Sequence, residues 1–233
     1  MGLQRLKDRL KSLANKEQAE FAQRFFKTGS GEYGEGDIFL GIRVPVLRKL
    51  AKEFNLPIRD VQTLLESPFH EERFVALIIL ILHYQKGDET VKKSIYELYL
   101  ANTKHINNWD LVDVSAMHIV GDYLFERDKS PLYRLVKSED LWERRIAIIA
   151  TFCFIKRRKF EDTLKLSKEL LQDKEDLIHK AVGWMLRETG KRELAVEEEF
   201  LKHHYQTMPR TMLRYAIEKF PEPKRQAYLK GKI

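Results

Sequence analysis

Asn107-Asn108-Trp109-Asp110-Leu111-Val112-Asp113 is the stretch on which the reading of this chain turns. It follows the turn-like segment Ala101-Asn102-Thr103-Lys104 and leads into apolar residues at helical spacing: Leu111, Val112, Met117, Ile119 and Val120. Asn107 or Asn108 is placed to cap that helix, because a short side-chain amide accepts from a first-turn N–H that has no helical partner. Trp109 and Asp113 are then i and i+4, one above the other on a single face. The plain reading is a packed tryptophan beside a solvated carboxylate. The other is a groove where a large π-surface and a negative charge together face a cationic ligand.

Working outward, Trp109 is one member of a series. Arg73, Trp109, Arg144, His179 and Arg214 are spaced by 36, 35, 35 and 35 residues. Each is followed by apolar residues at similar offsets: Val75-Ala76, Leu111-Val112, Ile146-Ala147, Ala181-Val182 and Ala216-Ile217. Secondary helices are expected between them, over Val91 to Leu100, Phe160 to Leu171 and Glu193 to His203. A helix pair of about 35 residues is the unit of helical solenoids. No sustained alternation of apolar and polar residues interrupts the pattern, so no strand is expected. The sequence therefore predicts an all-α fold, a curved solenoid of HEAT-like antiparallel helix pairs, forming one domain over residues 1–233.

Upstream, Leu3, Leu6, Leu10 and Leu13 give an amphipathic first helix, and a second covers Glu17 to Lys27. The glycine-rich run Gly29 to Asp37 lacks a following Gly-Lys-Ser/Thr and joins no strand to a helix, so it reads as a long connection and not a phosphate cradle. Pro45, Pro57, Pro68, Pro131 and Pro209 read as helix openers.

Composition narrows the class. The 233 residues are 43% hydrophobic with a formal net charge of +7, enough for a large core and weakly suggestive of a polyanionic partner. The lone Cys153 lies in an apolar run and forms no internal disulfide. The longest apolar runs, Phe74 to Leu82 and Ile146 to Ile155, are too short to cross a bilayer, and the N-terminus has no signal-peptide core. A soluble, cytoplasmic protein is expected, nucleoid-associated when bound to DNA. Among the seven histidines only His203 and His204 adjoin, and no zinc-site spacing occurs, so no metal or cofactor is expected.

The repeat also aligns the unusual residues. Counting from each marker, Trp109 is at 0, Arg145 at +1, Asp113 at +4 and Trp184 at +5. At about 100° per residue these fall within one arc of about 140°. Arg73, Arg144 and Arg214 at 0, Lys180 at +1 and Arg187 at +8 share it. With equivalent helices stacked, that arc forms one face, basic at both ends and carrying two tryptophans and an acid. Such a face suits a polyanion. Lys156-Arg157-Arg158-Lys159 can extend it, although cations at a helix C-terminus also simply complement the helix dipole.

At these residues the chain resembles the AlkD family, the HEAT-like-repeat DNA glycosylases of the DNA alkylation repair superfamily. The resemblance is carried by Asp37-Ile38-Phe39-Leu40-Gly41-Ile42-Arg43-Val44-Pro45, Asn107 to Asp113, Trp142-Glu143-Arg144-Arg145-Ile146-Ala147, Phe154-Ile155-Lys156 and Lys180-Ala181-Val182-Gly183-Trp184-Met185-Leu186-Arg187-Glu188. It implies that Trp109 and Trp184 are aromatic walls for the substrate, Asp113 the catalytic carboxylate and Arg145 a contact to the DNA backbone. It also implies an N-terminal aromatic at the lesion, for which Phe25, Phe26 and Tyr33 are candidates.

The chemistry implied by the resemblance is that of a monofunctional glycosylase for cationic N3- or N7-alkylated purines in duplex DNA, such as 3-methyladenine and 7-methylguanine. No lysine is singled out as a Schiff-base nucleophile, so an abasic site is the expected product. Asp110, at offset +1, reads as a structural partner for a neighbouring helix. Two other readings compete: a binder of damaged DNA that cuts nothing, and a protein scaffold. A binder gains nothing from a carboxylate facing phosphates, and a scaffold gains nothing from the basic arc. A monomer is the expected state.

Overall fold

The computed structural model describes residues 2–233, and helices supply its regular structure. They group into two compact units, Met1–Ser115 and Ala116–Ile233. The first holds α1 (Gly2–Ser12), α2 (Lys16–Phe25), α3 (Val44–Glu53), α4 (Ile58–Leu65), α5 (His70–Lys86), α6 (Glu89–Ala101) and α7 (Trp109–Ala116). After a π-helical turn at Met117–Gly121, the second holds α8 (Asp122–Leu124), α9 (Ser130–Leu135), α10 (Leu141–Ala150), α11 (Phe152–Lys156) and α12 (Glu161–Glu169). It continues with α13 (Asp176–Gly190), α14 (Leu194–His204), α15 (Arg210–Ala216) and α16 (Glu222–Leu229).

The expected punctuation is where the helices start. Pro45 and Pro131 are the second residues of α3 and α9, Pro57 and Pro209 directly precede α4 and α15, and Pro68 lies two residues before α5. Asn15, Asp88 and Asp140 cap α2, α6 and α10 by accepting from the N–H of Gln18, Val91 and Trp142 at 2.9, 2.9 and 2.7 Å. The markers at 73, 144 and 179 are each the fourth residue of a helix, whereas Trp109 is the first of its own.

In the first unit α5 is the central rod, packed by α3, α4 and α6. Its run Phe74 to Ile81 is buried on every side, as expected of a helix without a polar stripe. Its first turn is the anomaly: His70, Glu71, Glu72 and Arg73 are 2, 3, 1 and 4% exposed. Four ionisable side chains in a dry core are tolerated only when each finds partners. Glu71 finds three backbone donors, the N–H groups of Leu40, Gly41 and Ile42 at 2.8, 2.7 and 3.2 Å. Gly41 is required there, because its φ is +78° and a Cβ would stand 2.2 Å from the Asn15 carbonyl oxygen. The glycine-rich run Gly29 to Asp37 is the connection between α2 and α3. It is pinned at its end by a parallel bridge between Ile38 and Phe69.

In the second unit α13 is the hub, contacted by α10, α12, α14 and α15. Gly183 lets α15 approach, since a Cβ there would meet the Met212 carbonyl oxygen at 2.4 Å. Cys153 is a buried free thiol, its pKa pushed up to about 11 chiefly by burial. Among the described residues no helix is long and apolar enough to cross a membrane.

Candidate active site

The site is built from the backbone of α7 outward. Asn108 precedes the helix; its side-chain oxygen accepts the Trp109 N–H at 2.8 Å and its carbonyl accepts from Val112. That fixes the first turn, with Trp109 at the opening position and Asp113 one turn on, on the same face. Trp109 and Asp113 are both half-buried, so each presents part of its surface to solvent. Behind them the helix is anchored by Ser115, which donates to the Leu111 carbonyl at 2.6 Å and lies 2.9 Å from the hydroxyl of fully buried Tyr99. The Tyr99 phenol is held neutral by burial, and the Asp113 charge adds to that.

Around Trp109 stand the aromatics whose roles the sequence left open. Half-buried Phe26 stacks on the indole at 5.2 Å and 20°, and its other ring contacts, Phe39 at 5.0 Å, His70 at 5.1 Å and Phe25 edge-on at 5.1 Å, hold it against the core. Phe25 meets Trp109 edge-on at 6.0 Å, is 54% exposed, and stacks at 6.1 Å with Phe21, itself 59% exposed. Tyr33 directs its hydroxyl to the Phe25 carbonyl at 3.4 Å. So Phe25 is the aromatic that continues the Trp109 surface into solvent.

Beneath the aromatics lies a buried charge network. Asp37 receives Arg73 on one oxygen at 2.5 Å and His70 Nδ1 on the other at 3.0 Å, with the amides of Asn107 and Asn108 each at 3.4 Å. His70 Nε2 reaches Asp110 Oδ2 at 2.8 Å. Asp110 is thus the partner of a neighbouring helix, as its offset suggested. Burial pushes the His70 pKa down, but the Asp110 charge and the bonds to both carboxylates outweigh it and raise it to about 9. For Asp37 burial pulls upward, and the His70 bond and the two cations overcome it, holding the carboxyl below its usual value.

The second unit carries the remaining expected residues. Trp184 is half-buried and meets Phe152 edge-on at 5.6 Å. Two cations lie over that same Phe152 ring, exposed Lys156 at 4.8 Å and Arg192 at 5.6 Å. Arg158 pairs with Glu193 at 2.8 Å and Arg157 with Asp122, so Lys156 is the member of its basic run that stands against Phe152. Lys180 pairs with Asp176 at 2.7 Å, Arg187 with Glu218, and Arg214 is exposed beside half-exposed Tyr215. Arg145 is 5% exposed and donates to the Leu177 carbonyl.

Two of the expected DNA contacts are placed differently. Arg73 donates to the Ser67 carbonyl at 2.9 Å as well as to Asp37, and Arg144 donates to the Ser138 carbonyl at 2.8 Å as well as to Asp173. His179 does the same to the Asp173 carbonyl at 2.6 Å. In all three the marker reaches back six residues and ties the incoming loop to its helix. At these three positions the repeat marker is thus a structural fastener: Arg73 is buried and Arg144 half-buried, each engaged by a carboxylate and a loop carbonyl. Trp109, an aromatic at the head of its helix, and exposed Arg214, the fifth residue of α15, are the two markers that depart from this rule.

A family model for the DNA alkylation repair enzymes matches residues 6–220. The chain belongs to that family. The AlkD-type resemblance read from the motifs is borne out at this level. A solved structure from Enterococcus faecalis, described as a predicted DNA alkylation repair enzyme, shares the fold with a TM-score of 0.69. It is 18% identical and covers 90% of this chain and 97% of its own. AlkD2 from Streptococcus mutans aligns with a TM-score of 0.55 at 19% identity, covering 94% and 96%, and smu.31 from the same species at 0.54 and 18%, covering 94% and 99%. No curated protein matches the chain significantly. The all-α fold of HEAT-like helix pairs is therefore that of AlkD-type repeat proteins, in a family devoted to alkylation damage.

Proposed function

We propose that this member is a monofunctional DNA glycosylase that hydrolyses the N-glycosidic bond of cationic N3- or N7-alkylated purines in duplex DNA. The observation that carries the reading is the head of α7, where a half-exposed Trp109, flanked by solvent-facing Phe25, stands one turn from the Asp113 carboxylate. A positively charged base is attracted to ring faces by about 0.5–2 kcal/mol per ring. A carboxylate beside the sugar stabilises the positive charge that develops there as the bond lengthens.

In the proposed reaction the base departs with the bonding electrons, which neutralise its charge. Water adds to the sugar carbon, and Asp113 orients that water and accepts its proton. Trp184 is proposed as a further aromatic contact to the nucleotide, and Phe25 takes the role of the N-terminal aromatic. Lys156 and Arg214 are exposed candidates for phosphate contact. Lys180 and Arg187 join them by exchanging carboxylate partners for phosphate, and Arg145, as buried as Arg73, contacts a phosphate only by releasing the Leu177 carbonyl. The protein acts as a monomer and needs no cofactor.

The test compares native protein with Asp113→Asn on duplex DNA treated with a methylating agent. The expected result is release of 7-methylguanine and 3-methyladenine by the native protein. In the variant a loss of about two to four orders of magnitude is expected, as for removal of a principal acid–base or electrostatic group, with DNA affinity kept. Equal release by the variant would remove Asp113 from the mechanism.

A further inference from the structure

We infer that His70 is a positioning residue for the proposed reaction. By bonding Asp37 through one ring nitrogen and Asp110 through the other, it clamps the first turn of α7 and so fixes Trp109 and Asp113. The inference rests on the glycosylase reading for its catalytic consequence, but the clamp itself is geometric.

Three observations carry it. The first is the pair of bonds, Nδ1 to Asp37 at 3.0 Å and Nε2 to Asp110 at 2.8 Å. Two carboxylates can be served by one imidazole only if both nitrogens carry protons, because the neutral ring has a single donor. The second is the isolation of Asp110. Its other oxygen is buried with no hydrogen-bond partner among the described residues, so the His70 bond is what holds this side chain. Asp110 directly succeeds Trp109, and its position sets the rotation of the α7 first turn. The third is a second route to the same indole: His70 stacks on Phe39 at 4.4 Å, Phe39 on Phe26 at 5.0 Å, and Phe26 on Trp109 at 5.2 Å.

The charged groups around the ring balance. Arg73 answers Asp37 from α5, and Asn107 and Asn108 add neutral donors from the loop before α7. Along α5, Glu71 is bound to the Leu40 to Ile42 backbone and Glu72 lies 3.3 Å from Lys7. His105 feels Arg73 and Glu66. With His70 protonated, Asp37, Asp110, Arg73 and His70 sum to zero charge. Deprotonation leaves one uncompensated carboxylate in the core and a ring lone pair against an oxygen, which breaks one of the two links.

The experiment tracks the Trp109 indole N–H resonance, assigned with Trp109→Phe, in native protein and His70→Gln from about pH 7 to 10.5, alongside base release from methylated duplex. The expected result is a single titration of the native Trp109 signal with a midpoint near 9, matching His70, and its absence in the variant. Base release by His70→Gln is expected to fall roughly tenfold at neutral pH with DNA affinity preserved. A native Trp109 signal that ignores this range, or native-rate release by the variant, would overturn the inference. The native titration needs no variant to fold. If the indole titrates while the native protein releases no base, the clamp stands and the glycosylase reading falls.

Discussion

At the residue scale, the distinction that matters is between aromatics that hold the fold and aromatics that face out. Phe26 is packed between Phe39 and Trp109, whereas Phe25, its neighbour in sequence, is 54% exposed. Phe25→Ala is therefore expected to change stability by less than about 1 kcal/mol. The same substitution should slow release of cationic bases several-fold, in line with one lost ring contact. Phe26→Ala should cost about 2–4 kcal/mol, because truncation leaves a gap against four rings. Urea unfolding and single-turnover release on both variants check the pair. A strong stability loss at Phe25 with unchanged release would reverse the assignment. Sequence narrowed the choice to Phe25, Phe26 and Tyr33 and could go no further, since consecutive residues at a helix end differ only in which way the helix turns them.

At the element scale, the period of about 35 residues located helices α5, α7, α10, α13 and α15 and the all-α class, because each repeat of the pattern folds as a helix with its connecting partner. What it could not show was depth. Arg73 and Arg144 share an offset with Trp109, so the arc grouped them as one basic face. The markers at 73 and 144 are fourth residues that turn back to the Ser67 and Ser138 carbonyls, while Trp109 heads its helix. The buried first turn of α5 was equally hidden: four consecutive charged residues read as a solvated start, and only tertiary packing shows Glu71 accepting three N–H groups. Glu71→Gln keeps the shape but sets an amide group against backbone donors. It is expected to destabilise the fold by about 2–4 kcal/mol, read from the urea midpoint at unchanged slope.

At the scale of the whole molecule, charge governs both stability and binding. His70 has its folded pKa raised to about 9 from 6.5, so its contribution is complete below pH 6.5 and is lost as pH rises through 9. Buried Glu197 is raised to about 8 from 4.5, chiefly by burial and then by Glu198, so it opposes folding increasingly from pH 4.5 to about 8 and by a constant amount above that. Asp37 is lowered, and its contribution is present above 3.8 and lost as pH falls further. Stability should therefore decline from neutral towards alkaline pH, by up to about 3 kcal/mol from His70, and fall again in strong acid. Denaturant titrations across pH test both signs, and greater stability at pH 10 than at pH 6 would refute them. A formal charge of +7 with exposed Lys156 and Arg214 predicts duplex affinity that falls steeply with salt. Lys156→Ala is expected to reduce the slope of log affinity against log salt by about one.

The most direct test of the central claim is a single chromatographic measurement: free purine bases in the supernatant after native protein is incubated with methylated duplex DNA. The predicted result is 7-methylguanine and 3-methyladenine in solution, with abasic sites left in unbroken strands. Tight, salt-sensitive binding of the methylated duplex without any free base would contradict it.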